Sequence, residues 1–230
     1  MKNINTPRIA ALVPMRHKSE RVLGKNYRLL GGKPLYHHII QSLIDCPYIT
    51  EVCIDTDSPF ILSDASNHFS VSMLERPEHL RSEFEPMNNI LLHDVTQIEA
   101  DFYLQTHSTN PLLKSETITR AIETFLRPGE HDSLFGVTRL QTRLYNAQGN
   151  PVNHDPGILL RTQDLPPVYE ENSTLYIFSK DILENRKNRI GYSPIMFEVS
   201  REEAIDIDEE LDFVLAEFFY KQRKKEGVSR

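Results

Sequence analysis

The chain has 230 residues, a formal net charge of −7, 39% hydrophobic residues and 26% charged residues. That length buries a substantial core without disulfide staples, and the composition is ordinary for a globular protein. The acidic balance argues against general nucleic-acid binding, which calls for a basic face, and no apolar run approaches the roughly 20 residues of a membrane helix.

The N-terminal apolar stretch, Ile9 to Met15, is too short for a secretory leader, so a cytoplasmic location with no membrane association is expected. The two cysteines, Cys46 and Cys53, form no CxxC pair and lie among apolar residues, so both read as small core residues. The nine histidines show no HExxH spacing, and His37 and His38 sit on a predicted helix.

In chain order, Arg8 to Pro14 reads as a buried strand. From Pro34 on, Leu35, Ile39, Ile40, Leu43 and Ile44 recur at helical spacing. Glu51 to Asp55 and Val71 to Glu75 read as strands, and Met87, Ile90, Leu91, Val95 and Ile98 mark a second helix. Phe102 to Gln105 is a further strand. Ser115 reads as the N-cap of a helix with Ile118, Ala121, Ile122, Phe125 and Leu126 on one face.

The pattern changes after Val137. Residues Thr138 to Pro167 carry Gly149, Pro151, Pro156, Gly157, Pro166 and Pro167, and read as an irregular or β-rich arm within a single domain spanning 1–230. Ser173 to Phe178 and Ile195 to Val199 return as strands. A final helix is expected to pack through Leu211, Val214, Leu215, Phe218 and Phe219.

Strands alternating with helices predict an α/β fold with a mainly parallel, doubly wound sheet. Ligands bind beyond the carboxyl ends of such strands, so the loops from Met15, Thr56 and Thr106 should share one cleft.

Between Arg16 and Arg28 lie five cations, Arg16, Lys18, Arg21, Lys25 and Arg28, against one acid, Glu20. In an acidic chain this cluster suggests a small polyanionic ligand. A loop leaving a buried strand offers cations and backbone amides to phosphates, and Gly24 permits close approach; a solvated loop is the alternative. It is neither a P-loop nor a GxGxxG fingerprint. The second basic cluster, Lys221 to Lys225, reads as cations at a helix C-terminus.

In Ile205-Asp206-Ile207-Asp208, alternate residues of an extended segment share a face. The two carboxylates, roughly 7 Å apart, then suit magnesium beside phosphates. The other reading is an Asp N-cap with acids in the first turn of the final helix.

The segment Arg16, Ser19, Arg21, Gly24, Lys25, Asn26 resembles the signature of the sugar-acid cytidylyltransferases, R-x-x-S-K/T-R/G-x-P-G-K-N. The similarity continues through Gly32-Lys33-Pro34-Leu35, Thr56-Asp57, Arg76-Pro77, Asn110-Pro111-Leu112, Asn172 to Tyr176 and Ile205 to Asp208. It is greatest to the acylneuraminate branch, which activates sialic acid and relatives such as legionaminate and pseudaminate.

Three positions depart from the pattern. Glu20 stands where Lys or Thr is usual, Leu23 where Pro is usual, and His107 where that branch has its sugar-contacting Gln. The octulosonate branch carries Q-G-D-E-P after the fourth strand, with a metal-holding Asp that Gln105-Thr106-His107-Ser108 lacks.

The resemblance implies a Rossmann-like nucleotidyltransferase fold with a dimerisation arm, CTP and a sugar acid as substrates, Mg2+ as cofactor and a homodimer. It implies that Arg16, Ser19, Arg21, Lys25, Asn26 and Arg76 bind the nucleotide, with Arg76 at the cytosine. His107, Asn172 and Tyr176 would face the sugar, and Arg161 would reach its carboxylate from the neighbouring subunit. Asp206 and Asp208 would hold the metal, with Arg16, Lys25 and Asp208 catalytic. For Arg76 a salt bridge to Glu75 or Glu78 is the alternative; for Asn172 and Tyr176, a turn residue and a half-buried strand residue; for His107, the replacement puts an imidazole that ordinarily titrates near neutral pH beside the substrate.

Overall fold

The structure, a computed structural model, describes residues 7–17, 22 and 24–228, the last three as backbone only. Lys18, Ser19, Glu20, Arg21 and Leu23 lie outside the described residues, and with them two of the expected nucleotide contacts.

The centre of the molecule is β1 (Ile9–Met15), all seven residues of which are buried. An uninterrupted apolar run fits a strand covered on both faces, which is where the sheet places it. A short hairpin, β2 (Leu29–Leu30) and β3 (Lys33–Pro34), leads into α1 (Leu35–Ile44). Then follow β4 (Ile49–Thr56), α2 (Pro59–His68), β5 (Ser72–Glu75), α3 (Met87–Gln97), β6 (Phe102–Gln105) and α4 (Ser115–Phe125). The second half contributes β7 (Ser133–Leu140), β8 (Val168–Phe178), α5 (Lys180–Arg186), β9 (Pro194–Glu198) and α6 (Glu210–Val228).

Seven strands form one sheet in the order β5-β4-β1-β6-β8-β7-β9. The β5-β4-β1-β6 half is parallel, and β9 runs parallel to β7. β8 pairs antiparallel with both β6 and β7. The expected doubly wound, mainly parallel sheet is therefore present, with one strand reversed. One face packs Ile39, Ile40, Ile118, Ile122, Leu175 and Ile177; the other packs Leu12, Leu91, Val95, Tyr103, Tyr176 and Phe178. Cys46 and Cys53 are free thiols in these two cores.

The excursion begins three residues later than expected, because residues 138–140 still belong to β7, and it joins two adjacent antiparallel strands. It is held by side-chain-to-backbone bonds, such as Asn153 Nδ2 donating to Thr142 O at 2.7 Å and to Pro166 O at 3.1 Å.

Several elements differ from the sequence reading. α2 escapes notice because only Ile61 and Ala65 are buried; its start is fixed by Ser58, whose Oγ accepts from the Ile61 amide at 3.3 Å. β7 is disguised by Gly136, where the register shifts. A Cβ there would lie 2.4 Å from Thr174 Oγ1 and 2.6 Å from Asn172 Oδ1, so only glycine fits. Ser115 is the first helical residue of α4, not its cap; Lys114 takes the cap position, and its amide donates to Glu203 Oε2 at 3.0 Å.

The largest correction concerns α6. Leu211, Val214, Leu215 and Phe218 are exposed, while Phe213 and Ala216 are buried and Phe219 and Tyr220 pack beside them against Leu30, Leu35 and Ile207. Polar anchors set the rotation. Arg28 lies 3.8 Å from the centre of the Phe213 ring and pairs with Glu210, and Arg223 pairs with Glu202 and donates to Leu112 O. A count of apolar side chains does not register these contacts.

Candidate active site

A cleft of about 1010 Å³ opens at the carboxyl ends of the parallel strands. The loops after β1, β4 and β6 all line it, through Arg16 and His17, through Asp57, and through His107, Ser108 and Thr109. Lys25, Asn26, Arg76, Asp206 and Asp208 line it as well.

Lys25 opens a short turn after Gly24, whose φ of +64° lies in the left-handed region that glycine tolerates. Its ammonium donates to Ile207 O and lies 3.4 Å from Asp208 Oδ1. Asn26 is buried and ties loops together: its Nδ2 donates to Arg16 O at 3.0 Å, and its Oδ1 accepts from Ser108 Oγ at 2.8 Å. Its amide thus fixes the geometry from which Arg16 projects, and Arg16 itself is exposed. On the neighbouring strand end, the His17 amide donates to Asp57 Oδ1 at 2.6 Å, and its Nδ1 meets Tyr27 OH at 2.7 Å and Ser58 Oγ at 2.9 Å.

The segment 205–208 has no regular secondary structure and is stitched to the loop after β6. The Ile207 amide donates to Thr109 O at 2.9 Å, and Asn110 Nδ2 donates to Ile205 O at 3.2 Å. Ile207 is fully buried, and both acids reach the cleft. Burial and the Asp208 charge push the Asp206 carboxyl up, against a Thr109 hydrogen bond and the Lys25 charge. Asp206 Oδ1 is buried without a hydrogen-bond partner, which is costly unless a ligand satisfies it. An oxygen-preferring cation fits this donor set. Asp208 does not cap α6: Asp212 Oδ2 accepts from the Asp208 amide at 3.0 Å and from the Glu209 amide at 2.7 Å.

Arg76 lines the cleft yet is 1% exposed, and its partner is Asp55, not Glu75 or Glu78: Nε donates to Asp55 Oδ2 at 2.8 Å. His107 is half-buried in the cleft wall. Its Nε2 is buried without a partner, and burial, with the charges of Arg189 and Lys25, pushes it down to about 3. It is neutral at physiological pH, unlike the titrating imidazole expected from the sequence.

Asn172 and Tyr176 on β8 do not line the cleft. Asn172 donates to Thr138 Oγ1 at 2.9 Å, and Tyr176 OH donates to Glu171 Oε1 at 2.6 Å. Arg161 is exposed on the arm and pairs with Asp164 at 2.6 Å.

A family model described as cytidylyltransferase matches residues 10–225. The chain belongs to the cytidylyltransferase family. It is 31% identical to the CMP-N,N'-diacetyllegionaminic acid synthase of Legionella pneumophila, with 91% of this chain and 95% of that protein covered. It is 25% identical to the post-translational flagellin modification protein B of Campylobacter coli, covering 94% and 96%. The N-acylneuraminate cytidylyltransferase A of Danio rerio is 26% identical over 91% of this chain, which spans 50% of that longer protein. Among solved structures, a CMP:2-keto-3-deoxy-manno-octonic acid synthetase complexed with CTP superposes with a TM-score of 0.71 at 14% identity, covering 94% of this chain and 99% of that one. A 4-diphosphocytidyl-2C-methyl-D-erythritol synthase from Anaerococcus prevotii does so at 0.69 and 11% identity, covering 95% and 98%. Both share the fold.

In this cytidylyltransferase the cleft gathers Arg16, Lys25, Asn26, Arg76, His107, Asp206 and Asp208 from the sequence reading. Sequence reasoning gave no role to His17 and Asp57, which line the cleft, nor to Arg189, which donates to Gln105 at the end of β6. The first two carry a legible signal, since each lies within two residues of a buried strand end. Arg189 follows α5, a helix of seven residues with one fully buried side chain, and nothing in its local pattern marks it.

Proposed function

We propose that this cytidylyltransferase moves CMP from CTP to a nine-carbon keto-sugar acid of the sialic, legionaminic or pseudaminic type. The products are the CMP-sugar and pyrophosphate. The observation that carries this reading is the convergence of Arg16 and Lys25 with Asp206 and Asp208 in one cleft at the strand ends. The nearly complete mutual coverage with the legionaminic acid enzyme supports the acceptor class.

The anomeric hydroxyl attacks the α-phosphorus in line, and the bond from that phosphorus to the bridging oxygen breaks as pyrophosphate leaves. Arg16 and Lys25, with Ser19 and Arg21 from the same loop, neutralise and position the triphosphate. Lys25 also holds the 205–208 segment against the phosphate loop, through Ile207 O and Asp208. Asp206 and Asp208 would hold magnesium, which supplies charge compensation for the phosphates when bound. Asn26 positions the loop, and His107 offers a neutral polar edge to the acceptor.

The protein acts as a homodimer in the cytoplasm under this proposal. The apolar stretch at the N-terminus is the buried central strand β1, and among the described residues no helix is long and apolar enough to cross a membrane. The arm exposes Tyr145, Val152, Ile158, Leu159 and Leu160, an apolar set suited to a twofold contact. From there Arg161 would reach the neighbour's acceptor.

The test is pyrophosphate release with CTP and a panel of sialic, legionaminic, pseudaminic and octulosonic acids. Release with a nine-carbon acid is the expected result. Turnover of the octulosonic acid alone, or of a sugar phosphate alone, would overturn the acceptor assignment.

A further inference from the structure

Arg189 stands in the turn between α5 and β9, on the sheet face covered by α3 and α5. Its Nη1 donates to Gln105 Oε1 at 2.6 Å, and its guanidinium carbon lies 3.6 Å from the centre of the Tyr176 ring. Gln105 and Tyr176 are directly opposed on β6 and β8 and fully or almost fully buried, so two strands set the plane of the guanidinium.

Arg28, Arg76, Arg161 and Arg223 are held by carboxylates, of Glu210, Asp55, Asp164 and Glu202 in turn, whereas Arg120 donates to Thr117 Oγ1 and Arg186 lies over the Tyr192 ring. Among the described residues Arg189 forms no such ion pair. Glu171, whose charge acts on Arg189, is exposed and is engaged through the Tyr176 hydroxyl. Burial pulls the Arg189 pKa down, as it does for a cation whose counter-charge is incomplete. The charge is felt at the cleft, since after burial it is the first cause holding down His107. Gln105 is the last residue of β6, two positions before His107.

A partly buried guanidinium of fixed plane, short of a carboxylate and next to the cleft, is chemically matched to a carboxylate ligand. A keto-sugar acid closed to its ring carries that group on the anomeric carbon, beside the hydroxyl that attacks CTP.

We propose that Arg189 is the acceptor-side specificity residue: held by Gln105 and Tyr176, its remaining N–H groups take the carboxylate of the sugar acid within one subunit. This rests on the reaction proposed above. It also accounts for Tyr176 and Gln105 without requiring either to face the cleft.

The experiment compares the most active sugar acid of the panel with its methyl ester, in the wild type, Arg189→Gln and Arg189→Lys. The wild type is expected to favour the acid by about a hundredfold or more in kcat/KM, as a site built for a charged partner rejects its neutral analogue. Arg189→Gln is expected to lose at least about tenfold of that preference, the scale of one charge-assisted bond, with KM for CTP changed less than about twofold. Arg189→Lys keeps the charge without the planar fork and is expected to fall between. An acid-to-ester ratio in Arg189→Gln equal to that of the wild type would overturn the role.

If Arg189→Gln loses the near-ultraviolet circular dichroism of the fold, Arg189→Lys decides by the same ratio. If the wild type releases no pyrophosphate with any sugar acid, the proposed reaction fails. Calorimetric affinities for acid and ester then decide on Arg189, and equal affinities count against it.

Discussion

Arg76 donates from Nε to Asp55 Oδ2 at 2.8 Å, and the two side chains are 2% and 1% exposed. The pair joins the residue after β5 to the end of β4, directly under the cleft. Removing one partner of a buried pair leaves an uncompensated charge, which costs roughly 3–5 kcal/mol. Arg76→Gln is therefore expected to lower unfolding free energy in urea by about that amount. CTP affinity should fall by less than stability does. The reverse ranking would mean that Arg76 acts chiefly on the nucleotide.

A second acid shares this arginine. Asp94 on α3 is fully buried; its Oδ2 has no hydrogen-bond partner, and burial with the Asp55 charge pushes its carboxyl up to about 8. Its folded-state pKa lies above the ordinary 3.8, so the folded protein holds a proton that the unfolded chain has lost between these values. Stability contributed by this group is present below that window and is lost as pH rises toward about 8. Asp94→Asn is expected to flatten the decline and to stabilise the protein most at the alkaline end. Thermal melts from pH 5 to 9 measure it; parallel wild-type and variant profiles would refute the assignment.

The parallel half of the fold was legible where its strands are buried on both faces and written as continuous apolar runs, as in β1. The cleft was legible because strand ends must converge, and because Ile205 and Ile207 alternate with two acids. What was not legible depends on distant partners. Glu75 and Glu78 are the acids beside Arg76 in the chain, yet Asp55, 21 residues away, is the one that meets it. The rotation of α6 is set by Arg28 and Arg223, which a hydrophobic count ignores. The loss of His107's neutral-pH titration comes from desolvation and from Arg189, 82 residues on in the chain, a juxtaposition that only the folded sheet creates.

Lys25 joins the phosphate loop to the segment before α6, through Ile207 O and Asp208. Lys25→Ala removes one charge-assisted contact to the triphosphate, and CTP binding is expected to weaken by about 1.5–3 kcal/mol. Lys25→Arg keeps the charge and should recover part of it. Unchanged CTP affinity by calorimetry in the alanine variant would remove the loop from the nucleotide site.

The arm exposes Leu159 at 89% and Ile158 at 58%, more apolar surface than a solvated hairpin needs. If these residues meet their twofold copies, Leu159→Asp places two buried charges at the contact and is expected to convert a dimer to a monomer in light scattering. Activity should fall with the dimer, because Arg161 would no longer reach the neighbouring acceptor. A wild type that is monomeric and fully active at assay concentration would exclude the exchange.

Asp208 provides the sharpest test of the metal, because α6 does not depend on its carboxylate. The first turn is closed by Asp212 Oδ2, which accepts from the backbone amides of Asp208 and Glu209. Asp208→Asn leaves that arrangement intact and keeps an oxygen at the Lys25 contact, so the variant is expected to fold. The carboxylate stands 3.4 Å from the Lys25 ammonium and two residues from Asp206, whose buried Oδ1 lacks a partner. Two acids beside a triphosphate repel it unless a cation intervenes, and Lys25 offsets only part of that charge. A divalent ion matters most as charge moves onto the departing pyrophosphate, so its loss affects chemistry before binding. Asp208→Asn is thus expected to lower kcat by about a hundredfold or more, while CTP affinity changes less than about fivefold. The variant should also need more magnesium for half-maximal rate. Near-normal turnover at limiting magnesium would mean that the acids serve only to shape the segment before α6.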